Sequence, residues 1–217
     1  MILKHLGLGC FWLKANETVL VLDPFNPKEV GLPLPPMEAD MVYFSKPIGD
    51  LDEQTLSRVQ TSQRRASLGK ELLTISEPGE YEIGDILVQV HAQPEVVVIN
   101  VDDVNLCYVS IGKKLAGEID FEEIPTIDYL IVPVGDGELC LDWKKLDIVL
   151  REVEPGMVIP SCYHEKELKE PYSQLKKLEE FAEEFGTGEI KHEKKLKLQN
   201  VILGEEEKYG VTVLDAE

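Results

Sequence analysis

Basic residues are scarce in this sequence: 22 lysines and arginines stand against 41 aspartates and glutamates, which gives a formal net charge of −19. Nucleic acids and anionic membranes repel such a surface, so the composition argues against both as electrostatic partners. Long hydrophobic runs are missing as well. Because a membrane-spanning helix needs roughly 18 apolar residues in succession, we expect no transmembrane segment.

Cysteine is also sparse, and the cysteines are dispersed. Cys10, Cys107, Cys140 and Cys162 lie far apart without a CxxC pair, so neither a disulfide framework nor a zinc ribbon is indicated. Cys10 and Cys107 lie in apolar runs and are expected to be buried thiols. The N-terminal stretch MILKHLGLGCFWL lacks the basic region and cleavage site of a signal peptide. We therefore expect it to be a strand of the mature fold, in a cytoplasmic protein.

Strand-like runs dominate the first two thirds of the chain. They cover residues 1–4, 9–14, 18–23, 41–44, 72–76, 81–92, 96–110 and 127–135, and shorter runs follow at 157–164, 195–203 and 208–216. Turns are expected at Asn16-Glu17 and Asp102-Asp103, and the last two runs read as edge strands. With 217 residues, 43% of them hydrophobic, the chain suits one domain over residues 1–217.

Helical spacing marks three segments. The stretch DEQTLSRVQTSQRR (52–65) predicts one helix with Asp52 as N-cap and Leu56 and Val59 on its inner face. Residues 143–156 predict a helix with an apolar side and a Pro-Gly stop, and residues 171–185 predict an amphipathic helix that ends before Gly186. The inner face of the helix at 143–156 is expected to consist of Leu146, Val149, Leu150 and Val153. Many strands with few helices suit an α/β fold in which two packed sheets carry helices outside.

One loop has the outline of an active site. In ADMVYFSKPIGDLD (39–52) an apolar strand delivers Ser45, Lys46 and Asp50 into a polar turn. Six further stretches accompany it in the chain: LGLGCFWL (6–13), VLVLDPF (19–25), EPGEYEIGDILV (77–88), VINVDDVNLCYVSIG (98–112), IDYLIVPVG (127–135) and VEPGMVIPSCYH (153–164).

In this order the seven stretches resemble the metallo-β-lactamase superfamily, and within it the small zinc-dependent hydrolases that include the ascorbate-6-phosphate lactonase-like proteins. The resemblance covers essentially the whole chain. It implies a four-layer αβ/βα sandwich with two mixed sheets flanked by helices. It also implies hydrolysis by a water bound to zinc, which nitrogen and oxygen ligands hold with one position open.

The ligands that the resemblance calls for are largely replaced. The family pattern S-H-x-H-x-D-H falls on residues 45–51, where Ser45 and Asp50 match but Lys46, Ile48 and Leu51 occupy the three histidine positions. Outside this loop, a bridging aspartate falls on Ile111, the last histidine on Cys162 and an early histidine on Leu8; His91 lies near a further expected histidine without a firm alignment. The resemblance therefore implies a homologue without a metal cofactor.

Each remaining polar residue has an alternative reading. Asp23 corresponds to an aspartate that supports the family's site, but a strand-end carboxylate that accepts loop N–H groups is favoured. Asp50 either holds a cation or, as we favour, caps the helix near Asp52. Lys46 either pairs with Asp50 across the cleft or is a solvated lysine.

Cys162 and His164 stand two residues apart at a strand end, so both side chains would point to one side. They could form a pair, or a mononuclear metal site with Asp23 or Asp50, but a buried thiol is the favoured reading of Cys162. Ser110, at a strand end, and Gly135, in a turn, are expected to border the cleft. His5 and His192 are expected at the surface.

Three functions remain open at this stage. The favoured one is a metal-free homologue that binds a small molecule or a protein, with Asp23, Ser45, Lys46, Asp50, Ser110, Gly135 and Cys162 in its cleft. The second is an active metal-dependent hydrolase of the lactone or phosphoester type, with a rebuilt mononuclear zinc site that draws on Asp23, Asp50, Cys162 and His164. Asp50, Cys162 and His164 are its catalytic candidates. The third is a structural subunit of a homo-oligomer or a hetero-oligomer.

Overall fold

The computed structural model describes residues 1–46, 48–91, 96–110, 124–137, 139–188, 190–201 and 209–216. The strands of this part are β1 (Ile2–His5), β2 (Phe11–Ala15), β3 (Thr18–Leu22), β4 (Met37–Ala39), β5 (Met41–Tyr43), β6 (Val59–Thr61), β7 (Leu73–Ile75), β8 (Gly79–Ile83), β9 (Ile86–Val90), β10 (Val96–Val101), β11 (Val104–Val109), β12 (Tyr129–Pro133), β13 (Met157–Ser161), β14 (Lys191–Glu193), β15 (Leu196–Lys197) and β16 (Gly210–Leu214). Its α-helices are α1 (Pro27–Val30), α2 (Glu53–Leu56), α3 (Gln63–Ser67), α4 (Trp143–Val153) and α5 (Leu178–Phe185), and single 3₁₀ turns occur at Ile48–Asp50 and Tyr172–Gln174.

Two large mixed sheets form the framework. One has six strands in the order β15-β1-β2-β3-β5-β7, the other has eight in the order β14-β16-β13-β12-β11-β10-β9-β8, and β4 and β6 form a small separate pair. In the six-stranded sheet, β3, β5 and β7 run parallel. In the eight-stranded sheet, β11, β12, β13, β16 and β14 run parallel. The carboxyl ends of these parallel strands meet at one end of the sandwich.

Strand alternation explains how the sheets pack together. In β5, Met41 and Tyr43 point into the core between the two sheets, whereas Val42 and the following Phe44 belong to a second core on the outer side. Because successive side chains of a strand point to opposite faces, a buried run of this kind serves two cores at once. The turns predicted at Asn16-Glu17 and Asp102-Asp103 are confirmed, since they connect β2 to β3 and β10 to β11.

Helices cover the outer faces of the sandwich. Helix α4 lays Leu146, Val149, Leu150 and Val153 on the eight-stranded sheet, as its spacing predicted, and α5 adds Phe181 to the same core. Helix α1 and the neighbouring loops cover the outer face of the six-stranded sheet. The predicted α/β fold with two mixed sheets flanked by helices is therefore confirmed. Among the described residues, no helix has the length and the apolar run that crossing a membrane requires.

Several predicted boundaries were wrong. Residues 52–65 are not one helix: α2 ends after one turn, Val59 lies in β6, and α3 begins at Gln63. Leu56 is 37% exposed and therefore does not form an inner face. The run 81–92 is a hairpin that turns at Gly84 and Asp85 between β8 and β9. The helix predicted over 171–185 begins only at Leu178, although Gly186 does end it in a left-handed conformation.

Strand β16 was also placed wrongly, because it lies between β14 and β13 rather than at an edge. His192, in contrast, is exposed as predicted, and its imidazole contacts Asp215. Whether residues 1–217 form one domain stays a prediction.

His5 is buried, contrary to the prediction that it lies at the surface. It is the last residue of β1, where alternation turns Leu3 and His5 inward, and its ring stacks on Phe11 with 4.7 Å between centroids. Its Nδ1 lies 3.0 Å from the carbonyl oxygen of Leu214 and its Nε2 lies 3.0 Å from that of Leu8. The polar neighbours in the sequence misled the prediction, because these carbonyls become its partners only through the tertiary fold.

Candidate functional site

Asp23 anchors the candidate site at the carboxyl end of β3. Its backbone takes a positive φ of 40°, which turns the chain out of the strand immediately after Leu22. Its Oδ1 accepts a hydrogen bond from the backbone N–H of Ser45 at 2.7 Å, and Oδ2 lies 2.7 Å from the hydroxyl of Tyr108. The favoured reading of Asp23 as a strand-end carboxylate that accepts a loop N–H is confirmed.

Tyr108 joins the two sheets beneath this carboxylate. Its hydroxyl also lies 2.9 Å from the carbonyl oxygen of Gly9, yet a hydroxyl carries one proton and donates to one acceptor at a time. Burial raises the pKa of Asp23, against the opposing effect of its hydrogen bonds. If Asp23 is protonated, its carboxyl group donates to Tyr108, which in turn donates to Gly9, and all three groups are satisfied. No local sequence pattern marks Tyr108, because its role depends on a partner 85 residues away in the chain.

The loop after β5 is open to solvent. Ser45 is half-buried, Lys46 and Asp50 are exposed, and Ile48 is 42% exposed. Within the described residues, Lys46 and Asp50 form no ion pair, so the solvated reading of Lys46 is the one that the structure supports. The charge of Lys46 still lowers the pKa of Asp23, although only as the weakest of several influences.

Asp52, rather than Asp50, caps the following helix. Its Oδ1 accepts hydrogen bonds from the backbone N–H groups of Gln54 at 2.7 Å and Thr55 at 3.0 Å. The Asp52 prediction is confirmed and the capping role favoured for Asp50 is wrong, because the cap must directly precede the first helical residue, Glu53. Slight burial raises the pKa of Asp52, but these hydrogen bonds outweigh it and leave the pKa below its ordinary value.

The side chains of Cys162 and His164 do not lie on one side of a strand, contrary to the prediction. Strand β13 ends at Ser161, and Cys162 takes a left-handed φ of 51°, which breaks the alternation on which the predicted pair depended. Cys162 is buried, and its N–H donates to the carbonyl of Leu8 at 2.9 Å. The Nδ1 atom of His164 instead lies 3.1 Å from the carbonyl oxygen of Ser173. Burial raises the pKa of the Cys162 thiol well above its ordinary value.

The other expected cleft residues lie deeper in the protein. Ser110 is buried at the end of β11, and its hydroxyl has no hydrogen-bond partner among the described residues. Gly135 packs so closely on the next loop that a Cβ there would lie 2.2 Å from the carbonyl oxygen of Cys162. Ile111, which the resemblance placed at a ligand position, falls outside the described residues.

A cavity of about 140 Å³ opens above Asp23. The loops after β3 and β5, the start of α2 and the side chain of Tyr172 enclose it. Its lining consists of Leu8, Gly9, Asp23, Pro24, Phe25, Asn26, Glu29, Val30, Phe44, Ser45, Lys46, Asp50, Leu51, Asp52, Thr55 and Tyr172. Asp23, Ser45, Lys46 and Asp50 were predicted for the cleft and do line this cavity. Ser110, Gly135, Cys162, His164 and His91 do not belong to the lining.

The residues of this cavity do not fit zinc. Among the described residues, no group of three or more His, Cys, Asp or Glu side chains is placed to hold a metal ion. Asp23 and Asp52 already accept hydrogen bonds from Ser45 and from the first turn of α2. A catalytic zinc ion requires three protein ligands, usually with imidazole among them, and the cavity lining contains no histidine.

Solved structures share this fold. A candidate zinc-dependent hydrolase of the metallo-β-lactamase superfamily from Thermotoga maritima superposes with a TM-score of 0.71 at 23% identity, over 99% of this chain and 98% of its own. A candidate metal-dependent hydrolase from Parabacteroides distasonis has a TM-score of 0.59 at 12% identity, over 99% and 93%. A metallo hydrolase from the archaeon Ignicoccus hospitalis has a TM-score of 0.54 at 13% identity, over 85% and 90%.

No curated protein matches this sequence. The sequence does match the Beta-lactamase superfamily domain over residues 2–161, which is well over half of the chain. Together with the order of the strands and the sandwich of two mixed sheets, this match shows that the chain belongs to the metallo-β-lactamase superfamily.

Proposed function

We propose that this protein is a non-catalytic member of its superfamily that binds a small molecule in the cavity above Asp23. The observation that carries the proposal is the cavity itself. It lies at the strand ends where the resemblance places metal ligands, and Lys46 and Leu51 occupy two of the histidine positions in its wall.

The hydrogen bonds around the cavity argue against a rebuilt hydrolytic centre. Asp23 and Asp52 support the loop and the helix, which leaves Glu29 and Asp50 as the carboxylates at the mouth of the cavity. Cys162 and His164, which the alternative of a rebuilt mononuclear site requires, lie outside the lining. Two exposed carboxylates without imidazole make a poor zinc site.

The walls indicate what kind of ligand fits. Phe25, Phe44, Leu51 and Tyr172 supply apolar surface, whereas four carboxylates face one lysine in the lining. An apolar cavity of about 150 Å³ is known to hold benzene, so the enclosed part of the ligand is about one ring in size. Because the net charge of the lining is negative, a neutral or cationic molecule fits better than a phosphoester.

The proposal that the protein is not a catalyst is tested by measuring its metal content and its hydrolysis of candidate substrates. The protein is purified without chelators, its metals are counted by mass spectrometry, and lactone, phosphodiester and thioester substrates are supplied. We expect substoichiometric metal and no turnover above that of a heat-denatured control. Stoichiometric zinc, manganese or iron that is lost in Asp50→Ala, or hydrolysis of any of these substrates, would contradict the proposal.

Ligand binding is tested separately by saturation-transfer NMR with small aromatic amines, their neutral analogues and aryl phosphates. We expect amines and neutral rings to bind and phosphates not to bind. In Phe44→Trp the larger ring fills the cavity, so binding should be lost. The matched control, Tyr81→Trp, changes a residue of strand β8 that is not in the cavity lining, and it should bind as the native protein does. Equal binding to both variants would overturn the assignment of the cavity.

A further inference from the structure

Both sheets of the sandwich end at the same two sides of the molecule. At one side β7 and β8 are the last strands of the six-stranded and eight-stranded sheets, and only residues 76–78 separate them. At the other side β15 and β14 are the last strands, and only Lys194 and Lys195 separate them. Each side therefore presents a pair of strand edges joined by a tight connection.

The outer edges of the eight-stranded sheet have no partner in the part of the chain that the structure describes. Strand β8 pairs with β9 and strand β14 pairs with β16, each on one side only. An edge strand presents backbone N–H and C=O groups that can pair with another chain. Residues 191–193 are all exposed, as are Gly79, Glu80 and Glu82 of β8.

The two edges carry opposite charge. Residues 77–85 contain Glu77, Glu80, Glu82 and Asp85 with no lysine or arginine. Residues 191–197 contain four lysines and one glutamate, in a chain whose net charge is −19. The acidic residues on and beside β8 and the basic residues on and beside β14 are exposed to solvent. The acidic edge at β8 is thus complementary in charge to the basic edge at β14.

Strand direction allows the two ends to join. Strand β14 runs parallel to β16, β13, β12 and β11, and three successive antiparallel pairings through β10 and β9 then leave β8 antiparallel to β14. In the other sheet, β7 is likewise antiparallel to β15. A second copy placed beside the first in the same orientation would therefore extend both sheets with antiparallel pairs.

We propose that copies of this chain associate head to tail, with β8 of one copy adding to β14 of the next. Opposite charges across antiparallel strands stabilise pairing, whereas like charges that face each other destabilise it. Pairing of β8 with a second β8 would bring together two acidic segments that contain no lysine or arginine. Pairing of β14 with a second β14 would bring together two segments, 191–197, that each contain four lysines and one glutamate. The charges therefore select the contact between unlike edges, which forms a ring or an open filament.

Charge-reversal variants test this contact. Glu80→Lys/Glu82→Lys replaces both carboxylates of strand β8 with basic side chains, so that β8 and β14 both present lysines. Lys191→Glu/Lys194→Glu leaves two lysines and three glutamates in residues 191–197, so that both edges are acidic. Sedimentation velocity is run at about 0.15 M salt, where the Debye length of about 8 Å limits repulsion between the acidic bodies. We expect the native protein to form larger species as its concentration rises, and each variant alone to stay monomeric.

An equimolar mixture of the two variants should assemble again, because each basic edge then meets an acidic one. The control Glu179→Lys/Glu183→Lys changes the net charge by the same amount as Glu80→Lys/Glu82→Lys, but on the exposed face of α5. It should assemble like the native protein. Circular dichroism of each variant verifies that it is folded. If the charges serve only to keep edge strands apart, the native protein will be monomeric at every concentration, and this result overturns the proposal. A mixture that remains monomeric overturns it as well.

Discussion

Asp23 and Tyr108 form the contact on which the site depends at the scale of single residues. The carboxylate takes an N–H from the loop after β5 and meets a hydroxyl from the opposite sheet. These two bonds hold the floor of the cavity in place. The same two bonds fix the orientation of the Asp23 carboxyl group between the two sheets.

The Asp23 carboxyl group should make stability depend on pH. Its pKa is raised above the ordinary value of 3.8 by burial, so the folded protein binds this proton more tightly than the unfolded chain. The resulting stabilisation is present at acid pH and is lost as the pH rises from 3.8 through the folded pKa. Asparagine does not titrate, so Asp23→Asn has no such loss. The melting temperature of Asp23→Asn minus that of the native protein should therefore increase as the pH rises from about 4 to about 7. A constant or decreasing difference would contradict the raised pKa.

Tyr108→Phe should destabilise the fold through the hydrogen bonds that it removes. A buried polar group left without its partner costs about 1–3 kcal/mol, so the free energy of unfolding should fall by about that amount. Chemical denaturation measures the loss. Tyr81→Phe is the control, because the Tyr81 hydroxyl bonds to the carbonyl of Glu77 at an exposed position and its removal should cost much less. Equal effects would show that the Tyr108 hydroxyl is not held as described.

The cysteines should be chemically silent in the folded protein. All four are free and buried, and burial raises the pKa of Cys107 to about 12 and that of Cys162 well above its ordinary value. Since the thiolate is the reactive form, a disulfide reagent at about pH 8 should label no thiol rapidly. After denaturation all four should react. Rapid labelling of Cys162 in the folded state would instead support the alternative of a reactive thiol.

At the scale of single elements, helix α2 forms part of the cavity wall, and a local sequence signal, the N-cap Asp52, fixes where this helix begins. Asp52 lines the cavity and also caps this short helix, whereas Asp142 caps α4 through the N–H of Lys145 at a distance from the cavity. Loss of an N-cap costs about 1 kcal/mol, so Asp52→Ala and Asp142→Ala should destabilise the protein to a similar extent.

Hydrogen exchange distinguishes the two caps. Asp52→Ala should speed exchange in residues 53–56 and weaken binding of the aromatic amines, whereas Asp142→Ala should speed exchange at the start of α4 and leave binding unchanged. If Asp142→Ala weakened binding as strongly, the effect would be a general loss of stability and not a change in the cavity wall.

The segment 52–65 shows why single elements are harder to predict than the fold. Its spacing suited one helix, but Met37, Glu38 and Ala39 recruit residues 59–61 as the parallel strand β6. A pairing between residues more than 20 positions apart overrode the local helical preference, because propensity is a weak prior against tertiary contacts. The helix α4, in contrast, followed its spacing closely, since all four residues of its apolar side are buried against the eight-stranded sheet.

At the scale of the whole molecule, the excess of acidic residues should weaken the fold at low ionic strength. A net charge of −19 produces self-repulsion in the compact state, and salt screens it. The melting temperature of dilute protein should therefore rise when sodium chloride increases from about 10 mM to about 0.15 M. At about pH 5, where carboxylates begin to gain protons, the same increase should be smaller. A melting temperature that falls with salt would show that favourable ion pairs outweigh the repulsion.

The sequence by itself determined the superfamily, the α/β sandwich, the burial of Cys10 and Cys107, and the replacement of the expected histidines by Lys46, Ile48 and Leu51. The burial of the two cysteines follows from the apolar runs around them, whereas the superfamily, the sandwich and the replaced histidines follow from the resemblance of the seven stretches to a known family. Only the tertiary structure decided that Asp23 bonds to Tyr108, that His5 is buried, that Cys162 is not part of the cavity lining and that Glu29 and Tyr172 are. Each of these facts depends on which distant residues the two sheets bring within a few ångströms, and no local pattern specifies that pairing.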